Sequence, residues 1–254
     1  MTPAQAAGQA AGQTTGQPAA GTGVTVSAAA FDAVLFDLDG VVTDTAVLHR
    51  EAWARLFDQH LAGRRFTDED YVTYVDGKAR EDGVSSYLTA RGVQLGPDGV
   101  RELARAKDEF FRALLAERGP GVIASSVDLI RRVRAAGLRT AVVTASRNGA
   151  AILERASLTD LFDVRVDGVV AAELGLAGKP DPASFLEAAR RLGSAPERLV
   201  VVEDSQAGVT AAHRGGFGLV LGLDRDGRHD LGSAGADRVV ADLSAVRVIG
   251  GTAP

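Results

Sequence analysis

Chemistry is first legible at Asp37-Leu38-Asp39-Gly40. Carboxylates two residues apart on an extended chain point the same way, so Asp37 and Asp39 could face one site. Paired acids at a strand end can hold a hard cation, or serve as nucleophile and acid/base. A turn with two solvated acids is the plainer alternative. A second pair, Glu203-Asp204, ends the apolar run Leu199-Val-Val-Val202. Converging with the first pair, it suits one Mg²⁺, which favours oxygen ligands and retains waters. Asp204 or Ser205 could also start the next helix as an N-cap, and the two roles are compatible. Thr144 closes Thr140-Ala-Val-Val-Thr144 and precedes Ala145-Ser146-Arg147-Asn148. A hydroxyl and free amides at a helix start make an anion cradle. Ordinary N-capping by Ser146 or Asn148 is the competing account.

Lysine usage adds a further signal. Of 28 basic residues, 25 are Arg and three are Lys: Lys78, Lys107 and Lys179. A Lys in such a chain suggests a place where a compact ammonium fits and a planar fork does not. Lys179, in Gly178-Lys-Pro-Asp-Pro182, would suit a point charge beside a carboxylate–phosphate centre. His49 and Trp53 are four apart and share a helix face, with core packing the first explanation for Trp53. Arg80 and Lys107 could meet a phosphate or a sugar, although solvated charge is the default. No zinc motif, P-loop or Ser-His-Asp arrangement is visible.

These residues must be positioned by strands and helices. Short apolar runs at Ala33–Asp39, Leu138–Thr144, Leu199–Val202 and Leu219–Leu223 read as buried strands, with weaker ones at Val164–Val166 and Arg238–Val240. Helical patterns fall between the later ones: Val127–Ala136, Asn148–Ala156, Pro182–Leu192 and Ser205–Arg214. Gly137, Gly193 and Gly215 read as helix stops. The alternation predicts an α/β fold, a parallel sheet core with helices on both faces. Residues 47–116 break the alternation with helices alone, Leu48–His60 and Pro97–Leu115 being the clearest, and read as an inserted helical cap. The core is expected over 31–46 and 117–254, and residues 1–30, rich in Ala, Gly, Gln and Thr, as a flexible tail.

Composition bounds the rest. The chain has 254 residues, 46% of them hydrophobic, enough for a real core. Its formal charge of −5 gives no general grip on nucleic acid or an anionic membrane. Cys is absent, which excludes disulfides, thiolate zinc sites and cysteine nucleophiles. No transmembrane run or signal peptide is expected, and the chain is placed in the cytoplasm.

In this order the motifs resemble the haloacid dehalogenase superfamily of phosphotransferases, with a Rossmann-like core and small helical cap. Within it the chain is similar to the β-phosphoglucomutase-like family. Phe36-Asp-Leu-Asp-Gly-Val-Val-Thr-Asp-Thr45, His49 to Trp53, Arg80-Glu-Asp82, Thr144 to Asn148, Gly178-Lys-Pro180 and Glu203-Asp-Ser-Gln-Ala-Gly208 carry the likeness. The resemblance implies that Asp37 is the phosphorylated nucleophile and Asp39 the general acid/base. Thr144 and Lys179 would bind the phosphoryl group. Mg²⁺ would be held by Asp37, the main-chain carbonyl of Asp39, Glu203 and Asp204. Thr45, His49, Trp53, Gly77, Arg80, Lys107, Ser146, Arg147 and Asn148 would line the substrate site. The implied reaction converts β-D-glucose 1-phosphate to D-glucose 6-phosphate through the 1,6-bisphosphate, with Mg²⁺-dependent sugar-phosphate hydrolysis as the alternative. The partner would be a small-molecule sugar phosphate, and the enzyme a monomer. Thr144 departs from the family's Ser, Arg147 from its Lys, and Gly83 from a polar cap residue; these bear on substrate identity.

Overall fold

Ala33–Phe36 carry no polar side chain and all four are buried, which suits a strand covered on both faces. The computed structural model describes residues 23–61, 64–227 and 229–251. In it this strand, β2, lies inside a six-stranded sheet of order β4-β3-β2-β5-β6-β7. Its partners are β3 (Arg139–Val143), β4 (Val164–Val166), β5 (Leu199–Glu203), β6 (Leu219–Leu223) and β7 (Arg238–Val240), all paired in parallel. Phe36 stands in register with Val142 on one side and Val202 on the other.

Parallel pairing requires crossovers, supplied mostly by helices α5 (Ala124–Ala135), α6 (Gly149–Arg155), α7 (Gly168–Leu174), α8 (Ala183–Leu192) and α9 (Gln206–Arg214). Alternate residues of each strand feed opposite faces. Val34, Phe36 and Val202 pack with Ile130 and Val133, while Ala33, Leu35 and Val201 pack with Phe185 and Val209. From β2 the chain winds outward through β3 and β4, then returns to β2's other side as β5. The switch of direction between β2 and β5 opens a crevice beyond their carboxyl ends, where Asp37 and Asp204 emerge.

Between β2 and β3 the chain forms α1 (Ala46–His60), a single turn α2 (Asp68–Asp70) running into a π-turn at Tyr71–Val75, α3 (Arg80–Ala90) and α4 (Pro97–Arg118). This helical segment has its own aromatic core of Trp53, Phe57, Phe66 and Tyr87. Phe111, Leu114 and Leu115 of α4 reach instead into the core on the sheet. Gly83 abuts the Trp53 ring, where a Cβ would lie 3.1 Å from the indole. Among the described residues no helix is long and apolar enough to cross a membrane.

One expectation is corrected. Thr25–Ser27, inside the stretch read as a tail, form β1 and pair in parallel with β8 (Arg247–Ile249). Val24 and Val26 are buried at 7% and 2% exposure. Their alternation with Thr25 is too short to stand out from the Ala/Gly/Thr-rich sequence around it, and the partner strand lies at the far end of the chain. The rest of the tail reading, residues 1–22, lies outside the described residues. Gly215 closes α9 as the sequence reading expects, in right-handed backbone (φ −74°), and Gly216 takes the left-handed turn that follows (φ +71°).

Val26→Ala removes two buried carbons, a cost of about 1.5–2 kcal/mol. The melting temperature should fall by roughly 3–6 °C with kcat unchanged, as checked by calorimetry and steady-state assay.

Candidate active site

The chain leaves the sheet at Asp37, whose N–H still donates to Val202 O at 3.0 Å. Lys179 Nζ stands 2.5 Å from Asp37 Oδ1 and 2.5 Å from Glu203 Oε1. Both acids and the ammonium are buried. Glu203 is fixed from behind: its Oε2 accepts from Ser205 N at 2.9 Å and Ser205 Oγ at 3.0 Å. Ser205 caps α9 by accepting from Gly208 N, which leaves Asp204 free to line the cleft. Glycine is required at two close approaches. A Cβ on Gly208 would lie 1.7 Å from Glu203 Oε1, and one on Gly40 1.8 Å from Asp204 Oδ2.

Asp39 is held on three sides. Thr45 Oγ1 donates to its Oδ1 at 2.5 Å, Thr144 Oγ1 donates to its Oδ2 at 3.0 Å, and His49 Nε2 lies 3.3 Å from Oδ1. Its own N–H donates to Asp37 Oδ2 at 2.9 Å, so the two acids meet through the loop rather than along an extended strand. Lys107 Nζ is 2.5 Å from His49 Nδ1. When Lys107 is protonated it can only donate, so Nδ1 then accepts and Nε2 carries the ring proton. His49 also stacks on Phe111 at 3.9 Å, and Lys107 sits over the Trp53 ring at 4.9 Å.

Charge is unevenly shared across the cleft. Burial raises Asp37 to about 8 despite Lys179, with Glu203 and Asp39 adding repulsion. Burial and the neighbouring acids Asp76 and Glu203 push Asp204 well above the carboxylate range. Asp39 is the opposite case: burial works against it, but His49, Thr45 and Thr144 outweigh burial and lower it to about 2. Burial and the Arg80 charge depress Lys107 to about 7, and burial with Lys107 lowers His49. One ammonium among four acids leaves this end short of positive charge, and the oxygen donors fit a divalent ion such as Mg²⁺. Asp37 and Asp204 face the cleft and could hold it with the Asp39 carbonyl. Glu203 does not line the cleft, because both its oxygens are engaged by Lys179 and Ser205. Among the described residues no three acidic or histidine side chains already close on one point.

The sequence-read residues divide between two adjoining cavities. Asp37, Asp39, His49, Trp53, Gly77, Thr144, Ser146 and Asp204 line the first, of about 50 Å³. Arg80, Arg147 and Lys179 line the second, of about 290 Å³. Thr45 lies behind Asp39, and Lys107 behind His49. Asn148 makes no capping bond; its amide donates to Asp108 at 2.8 Å. Sequence reasoning passed over Asp76 and Tyr71, which line the first cavity. Burial raises Asp76 to about 7 although Tyr71 opposes the shift. Asp76-Gly77 reads as a turn dipeptide, which hid the carboxylate. Gly77, at φ +69°, packs on Ser205, whose Oγ a Cβ would meet at 2.2 Å.

The family model for haloacid dehalogenase-like hydrolase matches residues 31–216. The chain belongs to this family and is an enzyme of the phosphatase and phosphotransferase kind found there. It is 43% identical over 236 residues to the β-phosphoglucomutase of Mycobacterium bovis, covering 84% of this chain and 90% of that one. The crystal structure of CbbY from Rhodobacter sphaeroides in complex with xylulose-(1,5)bisphosphate superposes with a TM-score of 0.69 at 28% identity, covering 84% of this chain and 95% of that one. The β-phosphoglucomutase structure from Clostridium difficile, at 24% identity, shares the fold with a TM-score of 0.72 over 84% of this chain and 92% of that one.

Lys107 supplies a stability test. Its folded-state pKa of about 7 lies below the ordinary 10.5, so between those values the unfolded chain binds more protons. Stability is penalised most at and below pH 7 and recovers as pH rises toward 10.5. Lys107→Met should therefore melt higher than wild type at pH 7, with the gap narrowing toward pH 10. A gap independent of pH would contradict the assignment.

Proposed function

We propose that the enzyme is a β-phosphoglucomutase, converting β-D-glucose 1-phosphate to D-glucose 6-phosphate through the 1,6-bisphosphate. The observation that carries this reading is the separation of charge. Asp37, Asp76 and Asp204 face one cavity, while Arg80, Arg147 and Lys179 face its neighbour, whose rim also carries Glu81 and Asp82. A nucleophile with a demand for cations at one end, and two guanidiniums at the other, suits a sugar with an anion at each end. The likeness to the M. bovis mutase, and to a relative crystallised with a sugar bisphosphate, supports the same reading.

Asp37 carries the phosphoryl group and passes it to the free hydroxyl of the sugar phosphate. The bond from phosphorus to the Asp37 oxygen breaks as the bond to the sugar oxygen forms. The hydroxyl proton moves to Asp39, which Thr45, Thr144 and His49 hold in place. The bisphosphate then turns over, its other phosphate returns to Asp37, and Asp39 gives the proton back to the departing oxygen. Mg²⁺, held by Asp37, Asp204 and the Asp39 carbonyl, would neutralise charge on the transferring group. Lys179 supplies a fixed positive charge beside the same oxygen. The match to a hydrolase family supports a second reading, in which water takes the phosphoryl group from Asp37 in a sugar-phosphate phosphatase.

Product analysis separates the two. With Mg²⁺ and a trace of bisphosphate, β-D-glucose 1-phosphate should give glucose 6-phosphate with little free phosphate. Release of phosphate at the rate of sugar consumption would reject the mutase. Asp37→Asn should lose all turnover, and Asp39→Asn about 10²–10⁴-fold in kcat, in the same assay.

A further inference from the structure

Asp108 of α4 occupies an unexpected place. Its Oδ1 accepts from Arg80 Nη2 at 2.7 Å and from Asn148 Nδ2 at 2.8 Å. Arg80 opens α3 of the helical segment, while Asn148 precedes α6 beside the sheet. One carboxylate oxygen thus joins the two parts of the molecule across the cleft. Both members of the ion pair are largely buried, at 18% and 22% side-chain exposure. Asn148 occupies a helix N-cap position yet makes no capping bond, its side chain being turned to Asp108 instead. Arg147 lies close enough to Arg80 for the two charges to repel.

We propose that Asp108 is an internal stand-in for the substrate's distal phosphate. It holds Arg80 and Asn148 together in the ligand-free enzyme, and the phosphate displaces it. The inference rests on the reading of Arg80 and Arg147 as the groups that meet the sugar's second anion. Its physical basis is the balance of charge and acceptors. Arg80 is paired with the single charge of the half-buried Asp108, and Arg147 lines the same cavity, with the exposed Glu81 and Asp82 at its rim. A phosphate brings up to two charges and three acceptor oxygens, and guanidinium binds it in a paired geometry. A neutral hydroxyl cannot replace the carboxylate without leaving a buried charge unpaired. Asp108 therefore acts as a specificity-determining residue: it admits a strong anion at this end and refuses an uncharged one. The cost is weaker apparent affinity for every phosphate ligand, since each must compete with a tethered anion.

The test uses the full chain and calorimetric titration with glucose 6-phosphate, alongside kcat and KM on β-D-glucose 1-phosphate. Asp108→Asn keeps the shape and an acceptor oxygen but removes the charge. It should tighten the Kd for glucose 6-phosphate about five- to tenfold and lower KM without raising kcat. Arg80→Ala should weaken that Kd about tenfold, and adding Asp108→Asn to it should then give no gain. Asp108→Ser should shift affinity in the same direction as Asp108→Asn. Weaker binding in both Asp108 variants would overturn the proposal and make the carboxylate a support for Arg80. Unchanged binding in them, with Arg80→Ala still impaired, would also overturn it. No effect of Arg80→Ala would refute the distal-phosphate reading itself, and Asp108 with it.

Discussion

The arrangement depends on one buried ammonium. Lys179 touches Asp37 and Glu203 together, and none of the three is exposed by more than a few per cent. Removing three charges from water costs several kcal/mol per ion, offset here only by close pairing and further hydrogen bonds. That constraint reaches into the backbone. Glu203 must be seated on Ser205, Ser205 must cap α9, and residue 208 must lack a side chain to let the carboxylate pass. The nucleophile's position is therefore fixed by the end of β5 and the start of α9 as much as by its own strand.

The two aspartates of the first motif show how environment separates identical side chains. Asp37 is crowded by acids and raised, while Asp39 is surrounded by donors and lowered. Asp37 sits where added positive charge is in demand, while Asp39 is held ionised by the groups that donate to it. The helical segment contributes to both. His49 reaches Asp39 with Lys107 behind it, and Asp76 brings another carboxylate toward Asp204. Its close approach is made at glycine: besides Gly77 on Ser205, a Cβ on Gly178 would lie 2.9 Å from Asp82 Oδ2.

Much of this was legible in the residues. The four central strands were visible because buried parallel strands leave unbroken apolar runs, as in Leu199–Val202, while the more exposed β4 and β7 gave weaker ones. Two of the three lysines picked out by their scarcity, Lys107 and Lys179, are buried beside His49 and Asp37, while Lys78 is bonded to Ser86. β1 was hidden because its register is set by β8, more than 200 residues away in sequence. Asp76 and Asp108 were hidden because each looks locally like something ordinary, a turn aspartate and a helix-surface acid. Their neighbours across the cleft, Asn148 for Asp108 and Asp204 for Asp76, come only from the packing of the helical segment on the sheet.

The central claim is that Asp37 itself takes up phosphorus. The most direct measurement is to quench the enzyme during turnover on β-D-glucose 1-phosphate, reduce any acyl phosphate with borohydride, and map the product by peptide mass spectrometry. The account predicts homoserine at position 37, dependent on substrate and abolished in Asp37→Asn. Reduction at another carboxylate, or none during undiminished turnover, would contradict it.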